Sequence, residues 1–254
     1  MARSFNGTSD WISAPCNLAG DRDITCSMWL WWDSFTDNDD LCLEHTADTN
    51  SFPGFYANPN ASTAGGGIFT LTFANITGLH IESFARPSAA TWHHYLFIWS
   101  RPATCLAYVD GVSQSMTVQQ DTGNDVDFSN DTLYFMNRGG TTLFGAGRQA
   151  EVAIWRDVIL GQGEASMLAG GTPASFVRGE NLALYCPLWG DSPEVDLSGQ
   201  KQNATIDSGT TIIAHPPVGP LLFELLETMQ AVAAGISTPA DDVPRLIHGR
   251  GASW

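Results

Sequence analysis

The sequence predicts an all-β fold, a two-sheet antiparallel β-sandwich followed by a C-terminal extended arm and a short helix. Two observations carry this prediction. Apolar and polar residues alternate over many short segments, and turn-forming residues separate those segments at regular intervals. A chain of 254 residues, 43% of them hydrophobic and 15% charged, has enough apolar material to fill one large sandwich.

The first long strand is predicted at residues 24–32. Every second residue there is apolar, and the side chains of these residues share one face. The other face also carries large rings, those of Trp29 and Trp31. Because both faces are substantially apolar, we expect this strand to lie in the middle of a sheet that is covered on both sides.

An aromatic-rich strand at residues 92–99 is followed by a shorter strand that leads into Asp110 and Gly111. Asp-Gly between the β-branched residues Val109 and Val112 supplies the positive φ angles of a type I′ turn, whose twist matches that of the flanking strands. The sequence therefore predicts a tight β-hairpin at this point.

Other short apolar segments, separated by clusters of Gly, Pro, Asn and Asp, predict the remaining strands. These segments are residues 41–45, 67–73, 79–84, 132–136 and 150–155. A single helical segment is predicted at residues 160–168, ending before a Gly-Gly pair. We expect this helix to cover an edge or an end of a sheet.

A domain boundary is predicted between residues 1–215 and residues 216–254, because the composition changes there. The proline-rich residues 216–220 cannot join a regular strand ladder and should run as a stiff extended arm. Apolar side chains then recur at intervals of three and four, which predicts an amphipathic helix with one apolar seam. The seam consists of Leu222, Leu225, Met229, Val232 and Ile236.

This seam is too short to hold an isolated coiled coil, so it must be buried against another surface. That surface is either the sandwich of the same chain or a neighbouring subunit, and the sequence leaves both alternatives open. The tail after the helix is rich in Pro and Gly and ends at Trp254. We expect partner surfaces to hold this tail.

The net charge of −16 disfavours binding to nucleic acid and to anionic membranes, because both carry phosphate groups. Residues 1–20 lack the pattern of a signal peptide, and no apolar run reaches the roughly 20 residues that a membrane span needs. The cysteines follow no metal or disulfide spacing, so we interpret them as small buried apolar side chains. The same observation predicts that the protein is made in a reducing cytoplasm. The cysteines are Cys16, Cys26, Cys42, Cys105 and Cys186.

Four blocks of sequence stand in a characteristic order: FNGTSDWI at residues 5–12, ITCSMWL at 24–30, the segment 92–111, and GRQAEVAIWRDV at 147–158. In this order the chain resembles the laminin G-like and pentraxin-like domains of the concanavalin A-like lectin/glucanase superfamily, over about residues 3–215. The resemblance implies a jelly-roll sandwich. It does not imply one particular function, because one fold hosts many unrelated sites.

The sequence predicts no enzymatic activity. Glycoside hydrolases of this superfamily resemble one another in two carboxylates on one strand, which lie about 5 to 5.5 Å apart. No such spacing occurs here, since six residues of strand would separate Glu151 and Asp157 by roughly 20 Å. His93 and His94 point to opposite faces of their strand, so they cannot bind one ion together, and we expect structural roles for both.

Calcium is the one cofactor that the resemblance raises, because laminin G-like and pentraxin-like domains often bind it through oxygen ligands of loops at one rim. The acidic segment at residues 121–131 provides the candidates, and a solvated acidic loop without an ion is the alternative. The candidate ligands are Asp121, Asn124, Asp125 and Asp127. No other cofactor is predicted.

Two functions from different classes fit these observations. The first is a virion structural or capsid decoration protein, of a phage for example, assembled in the host cytoplasm. Its sandwich would be displayed and residues 216–254 would hold its own subunits and capsid or tail proteins. The alternative is a soluble carbohydrate-binding lectin or adhesion module, with or without calcium, that uses some of the nine Trp residues to contact glycans.

Overall fold

The computed structural model describes residues 1–35, 41–48, 51–59, 67–75, 78–102, 104–122, 128–190, 192–206 and 209–216. The predicted boundary between residues 215 and 216 therefore stays a prediction, as do the arm and the seam helix. The seam and tail residues that are expected to contact other surfaces also lie outside the described residues. They are Leu222, Leu225, Met229, Val232, Ile236 and Trp254.

Two antiparallel sheets form the described part of the chain, which confirms the predicted sandwich. Sheet A contains β1 (Ala2–Asn6), β3 (Asp23–Trp32), β8 (Trp92–Ser100), β9 (Thr104–Val109), β10 (Val112–Ser113), β13 (Ala146–Arg156), β14 (Leu182–Cys186) and β16 (Thr211–Ile213). Its order is β10, β9, β8, β3, β13, β1, β16, and β14 also pairs with β13.

Sheet B contains β2 (Ile12–Asn17), β4 (Leu43–Asp48), β5 (Ser51–Asn58), β6 (Ile68–Asn75), β7 (Gly78–Ala85), β11 (Thr117–Asp121), β12 (Asn130–Phe135) and β15 (Thr205–Ile206). Its order is β11, β7, β6, β5, β4, β12, β2, β15. The short segments predicted from alternation therefore all lie in strands, with bounds that differ by a few residues. Within the described residues, no helix is long and apolar enough to cross a membrane.

The core lies between the sheets, because alternation directs one side chain in two of each strand towards the opposite sheet. Rings from the two sheets meet there. The ring centroids of Phe55 and Trp99 lie 4.4 Å apart, and those of Phe69 and Phe97 lie 5.2 Å apart. Strand β3 pairs with both β8 and β13, which confirms its predicted central position.

The outer face of sheet A is covered by a second apolar cluster, which includes helix α1 (Gln162–Ala169). Ile98 and Trp155 of the sheet pack there with Leu160 and Leu168, and the Trp155 indole donates a 2.6 Å hydrogen bond to the carbonyl of Val177. The helix contacts the edge strand β10, as predicted, and its apolar side chains also cover the outer face of β8. The physical reason is that the outer face of β8 is itself apolar.

The predicted hairpin between β9 and β10 is confirmed. Asp110 and Gly111 have φ angles of 50° and 75°, and Val109 pairs with Val112. The turn also meets helix α1, because the Gln162 amide and the Ser166 hydroxyl donate hydrogen bonds to the Gly111 carbonyl. The Asp110-Gly111 turn, which was predicted from local sequence, therefore also holds helix α1 against sheet A.

All five cysteines are buried and free of disulfides, as their scattered spacing predicts. Burial raises the pKa of the Cys16 thiol to about 12, so this side chain stays neutral. His93 and His94 do point to opposite faces: His93 meets Asp110 at 2.7 Å, and buried His94 meets the Ser27 hydroxyl at 2.8 Å. Burial lowers the pKa of His94 to about 3, which keeps its ring neutral.

The contact between the hairpin turn and helix α1 can be tested with two Gly to Ala changes. At Gly111, which has a positive φ, an added Cβ would lie 2.9 Å from the Cα atom of Ser166. We expect Gly111→Ala to lower the free energy of unfolding by roughly 1–3 kcal/mol. Gly163 lies in the helix with open space at its Cβ, so Gly163→Ala should raise it by up to about 1 kcal/mol.

Urea denaturation measures both changes, and the helical glycine is the matched control. Equal effects of the two substitutions would contradict the inferred contact between the turn and the helix.

Candidate functional site

The outward-pointing side chains of sheet B are polar, in contrast to the apolar cluster on the outer face of sheet A. Apolar residues of its strands point into the core, so the residues between them point outward. These outward residues are Glu44, Thr46, Tyr56, Asn58, Thr70, Thr72 and Tyr134. Glu44, Thr46, Asn58, Thr70 and Thr72 are buried, so Tyr56 and Tyr134 are the members of this set that are partly exposed to a ligand.

The strand register brings four of these side chains into one row. Tyr134 of β12 pairs with Glu44 of β4, Glu44 pairs with Tyr56 of β5, and Tyr56 pairs with Thr72 of β6. Side chains directly opposite each other in antiparallel strands have Cβ atoms about 4.5–5.5 Å apart. A carboxylate therefore lies between two tyrosine side chains in the middle of this face.

Arg138 reaches this row from the turn that follows β12. Its Nε atom donates a 2.9 Å hydrogen bond to Oε1 of Glu44. Its guanidinium carbon lies 5.1 Å from the ring centroid of Tyr56, within the range of a cation–π contact. The backbone N–H of Arg138 donates to the carbonyl of Thr142 at 2.9 Å, which fixes the turn.

The second carboxylate oxygen of Glu44 is buried. The side chain is 7% exposed, and Oε2 makes no hydrogen bond within the described residues. Burial raises the pKa of Glu44 to about 7, although the charge and hydrogen bond of Arg138 and the backbone N–H of Gly139 act in the opposite direction. A buried oxygen without a partner is costly, so a ligand hydroxyl that donates to it would gain a favourable contact.

Trp11 extends the row at the side of Tyr134. The centroids of the two rings lie 5.8 Å apart with an interplanar angle of 43°, and both side chains are partly exposed. Gly140 permits this arrangement, because a Cβ atom there would lie 2.7 Å from the Trp11 ring. We call the group formed by Trp11, Glu44, Tyr56, Tyr134 and Arg138 the Glu44 site.

A second group of aromatic side chains lies on the outer face of sheet A. Trp31 and Trp92 pair across β3 and β8 with ring centroids 6.2 Å apart, and the Arg148 guanidinium lies 4.4 Å from a Trp31 ring. The Trp31 indole N–H donates to Asp33 at 3.1 Å. Since this patch holds no buried polar atom that lacks a partner, it shows less need for a ligand than the Glu44 site.

Of the four predicted calcium ligands, Asp121 alone lies within the described residues. Asp121 ends β11, exposed to solvent, with Oδ1 3.7 Å from Nδ1 of His80. Asn124, Asp125 and Asp127 lie outside the described residues, so calcium binding there stays a prediction.

Glu151 and Asp157 belong to different hydrogen-bond networks. Glu151 accepts from the Tyr185 hydroxyl and contacts His215 at 2.8 Å, whereas Asp157 accepts from the backbone of Arg22 at 2.8 Å. Neither network provides the paired carboxylates that the hydrolases of the superfamily use.

Sequence reasoning missed the Glu44 site, because its residues follow no motif. The available signal was weak: Glu44 and Tyr134 each interrupt the apolar residues of a strand that was predicted from alternation. That signal places both side chains on outer faces of strands but does not say that the two strands are neighbours.

Comparison with known proteins agrees with the fold. A family model described as the concanavalin A-like lectin/glucanases superfamily, of the laminin G type, matches residues 6–162, so the chain belongs to this superfamily. This confirms the resemblance seen in the sequence. A search of curated proteins found no match.

Among solved structures, a native heptameric SAP-like pentraxin from Limulus polyphemus is similar, with a TM-score of 0.51, 13% identity, and coverage of 86% of this chain and 96% of the pentraxin. The botulinum neurotoxin serotype G binding domain has a TM-score of 0.49 and 12% identity, and the match covers 66% of this chain and 41% of the neurotoxin chain. Mouse laminin α1 domains LG4-5 have a TM-score of 0.44 and 11% identity, and the match covers 60% of this chain and 40% of the laminin chain. At these identities the likeness is one of fold alone.

The raised pKa of Glu44 leads to a test of its environment. The folded protein keeps the proton up to about pH 7, whereas the unfolded chain loses it near 4.5. The free energy of unfolding should therefore fall as the pH rises between these values, by roughly 1–3 kcal/mol.

Glu44→Gln removes this ionisation, so its stability should change less over the same range. Urea denaturation at a series of pH values measures the difference, and Glu180→Gln, at an exposed residue, is the control. If the Glu44→Gln variant kept the full pH dependence of the wild-type protein, the assigned environment of Glu44 would be wrong.

Proposed function

We propose that this protein is a non-enzymatic carbohydrate-binding module and that the Glu44 site is its sugar site. The observation that carries the proposal is the buried, unpaired Oε2 atom of Glu44, which lies next to Arg138 and between partly exposed rings. Membership of a lectin-containing superfamily makes this function class available but does not select it.

The site matches the chemistry of a sugar ring. A pyranose has apolar C–H faces that rest on aromatic rings, and Trp11 and Tyr134 supply such rings. Its hydroxyl groups donate and accept hydrogen bonds, for which the Glu44 carboxylate and the Arg138 guanidinium are complementary partners.

We infer that the preferred ligands are uncharged glycans. Arg138 already carries a carboxylate partner at 2.9 Å, and the protein as a whole has a net charge of −16. An acidic sugar would therefore find the Arg138 guanidinium already paired, and the negative net charge of the protein would repel it. A neutral sugar is not repelled by this charge and can contact the partly exposed Trp11, Tyr134 and Arg138.

We infer binding without hydrolysis. Hydrolysis of a glycosidic bond uses two carboxyl groups, about 5–5.5 Å apart in retaining enzymes and about 6.5–9.5 Å apart in inverting ones. The cross-strand neighbours of Glu44 are Tyr134 and Tyr56, neither of which is an acid, and its charged partner is Arg138. The arrangement favours holding a sugar over cleaving it.

A glycan array followed by titration of the best neutral ligand tests this function. Glu44→Gln and Tyr134→Ala should each weaken binding by about 10-fold or more, since each removes a contact of about 1–3 kcal/mol. Tyr108→Ala, at a partly buried tyrosine of sheet A, is the matched control and should bind as the wild-type protein does.

Two outcomes would count against the proposal. Retained binding in Glu44→Gln and Tyr134→Ala, with loss in Trp92→Ala, would move the site to the outer face of sheet A. Failure of the folded wild-type protein to bind any neutral glycan would remove the function itself.

A second role rests on the apolar seam of residues 222–236. We propose that residues 216–254 anchor the sandwich to its own subunits and to capsid or tail proteins, so that the module is displayed on a virion assembled in the host cytoplasm. One structural neighbour, the pentraxin, is described as heptameric, which makes self-association the first form of anchoring to test.

Changing Leu225 and Met229 to Asp in the full chain should abolish assembly, because charges on the seam oppose its burial. Sedimentation measures the mass, and thermal unfolding of the sandwich should be unchanged. A wild-type protein that is monomeric, or a variant that assembles normally, would contradict this role without affecting the glycan test.

A further inference from the structure

A cluster of metal-ligating side chains lies inside the sandwich, apart from the Glu44 site. His80 and Glu82 are two residues apart in β7, so both point to the same face, which is the one that meets sheet A. Cys105 comes from β9 of sheet A. The three residues are 2%, 7% and 1% exposed, and together they bridge the two sheets near their edge strands.

The three side chains are close enough to share one ion. One ligand atom of each lies within 4.8 Å of the ligand atoms of the other two. Nε2 of His80 lies 3.0 Å from Oε1 of Glu82, and the same oxygen accepts a 2.7 Å hydrogen bond from the backbone N–H of Cys105. The ligand atoms would need to move by about 1 Å to reach zinc bond lengths of about 2.0–2.3 Å.

The His80 ring is oriented in the way that a bound metal requires. Its Nε2 atom points into the cluster, and its Nδ1 atom, which is buried and makes no hydrogen bond within the described residues, lies 3.7 Å from Oδ1 of Asp121. In many metal sites a carboxylate holds the second ring nitrogen of a ligating histidine in this manner. Asp121 is half exposed, so the cluster also lies close to solvent.

We propose that His80, Glu82 and Cys105 bind one zinc ion, with Asp121 as the residue that positions His80. A nitrogen, an oxygen and a sulfur ligand suit zinc, whereas calcium takes oxygen ligands only. The thiol proton of Cys105 passes to solvent on binding, because the thiolate is the form that ligates. A water molecule completes the four-coordinate ion.

This site would have a structural role. It joins strand β7 of sheet B to strand β9 of sheet A, and each of these strands lies next to an edge strand of its sheet. Binding to the folded state alone stabilises that state by mass action. The proposal does not depend on the glycan function, and a zinc ion here would be separate from any calcium held by residues 121–127.

Titration of the full-length, metal-free protein with cobalt(II), followed by displacement with zinc, tests the site. We expect one equivalent of cobalt to bind with a thiolate-to-cobalt charge-transfer band, and zinc to raise the melting temperature. Cys105→Ser should lose the band. Cys186→Ser is the matched control, since Cys186 is also buried but lies in β14, and it should keep the band.

Asp121→Asn tests the positioning role, and it should keep the band while the affinity falls by about 10- to 100-fold. Unchanged affinity in this variant would remove that role. Absence of stoichiometric binding by the wild-type protein, or a band that survives Cys105→Ser, would overturn the zinc site. The wild-type titration decides the matter even where a variant fails to fold, and millimolar calcium should not compete.

Discussion

Burial of two apolar sheet faces against each other is the constraint on which the rest of this structure depends. The side-chain period of a strand is two, so the alternation that buries Leu43 and Phe55 also fixes Glu44 and Tyr56 on the outside. A slip of one residue in any pairing would exchange the two faces. The core therefore sets the register, and the register assembles the Glu44 site.

The two proposed binding sites lie in different layers of the sandwich. The Glu44 site occupies the outer face of sheet B, and the cluster of His80, Glu82 and Cys105 lies between the sheets near their edge strands. Each keeps polar atoms in buried positions at a cost to stability: Oε2 of Glu44 in the first and Nδ1 of His80 in the second. A ligand or an ion that satisfies those atoms would offset that cost.

Local signals in the sequence were the most informative. The Asp110-Gly111 turn needs only its own φ angles, and the two-sided apolar pattern of β3 already demands cover on both faces. The helix at residues 162–169 was recognised as well, with its place at a sheet edge, but the rest of its partner surface was not. Its partner surface, which includes Ile98 and Trp155, is built from strands that are distant in the sequence.

By itself the sequence determined the fold class, the turn chemistry and the burial of the cysteines, because each follows from composition or from spacing along the chain, and its four sequence blocks carried the resemblance to the superfamily. Tertiary structure alone decided which side chains meet. Glu44 and Arg138 are 94 residues apart, and Glu82 and Cys105 are 23 residues apart on different sheets. Alternation assigns a side chain to a face, but only strand order and register choose its neighbours, so Cys105 looked inert in the sequence and became a candidate ligand in the fold.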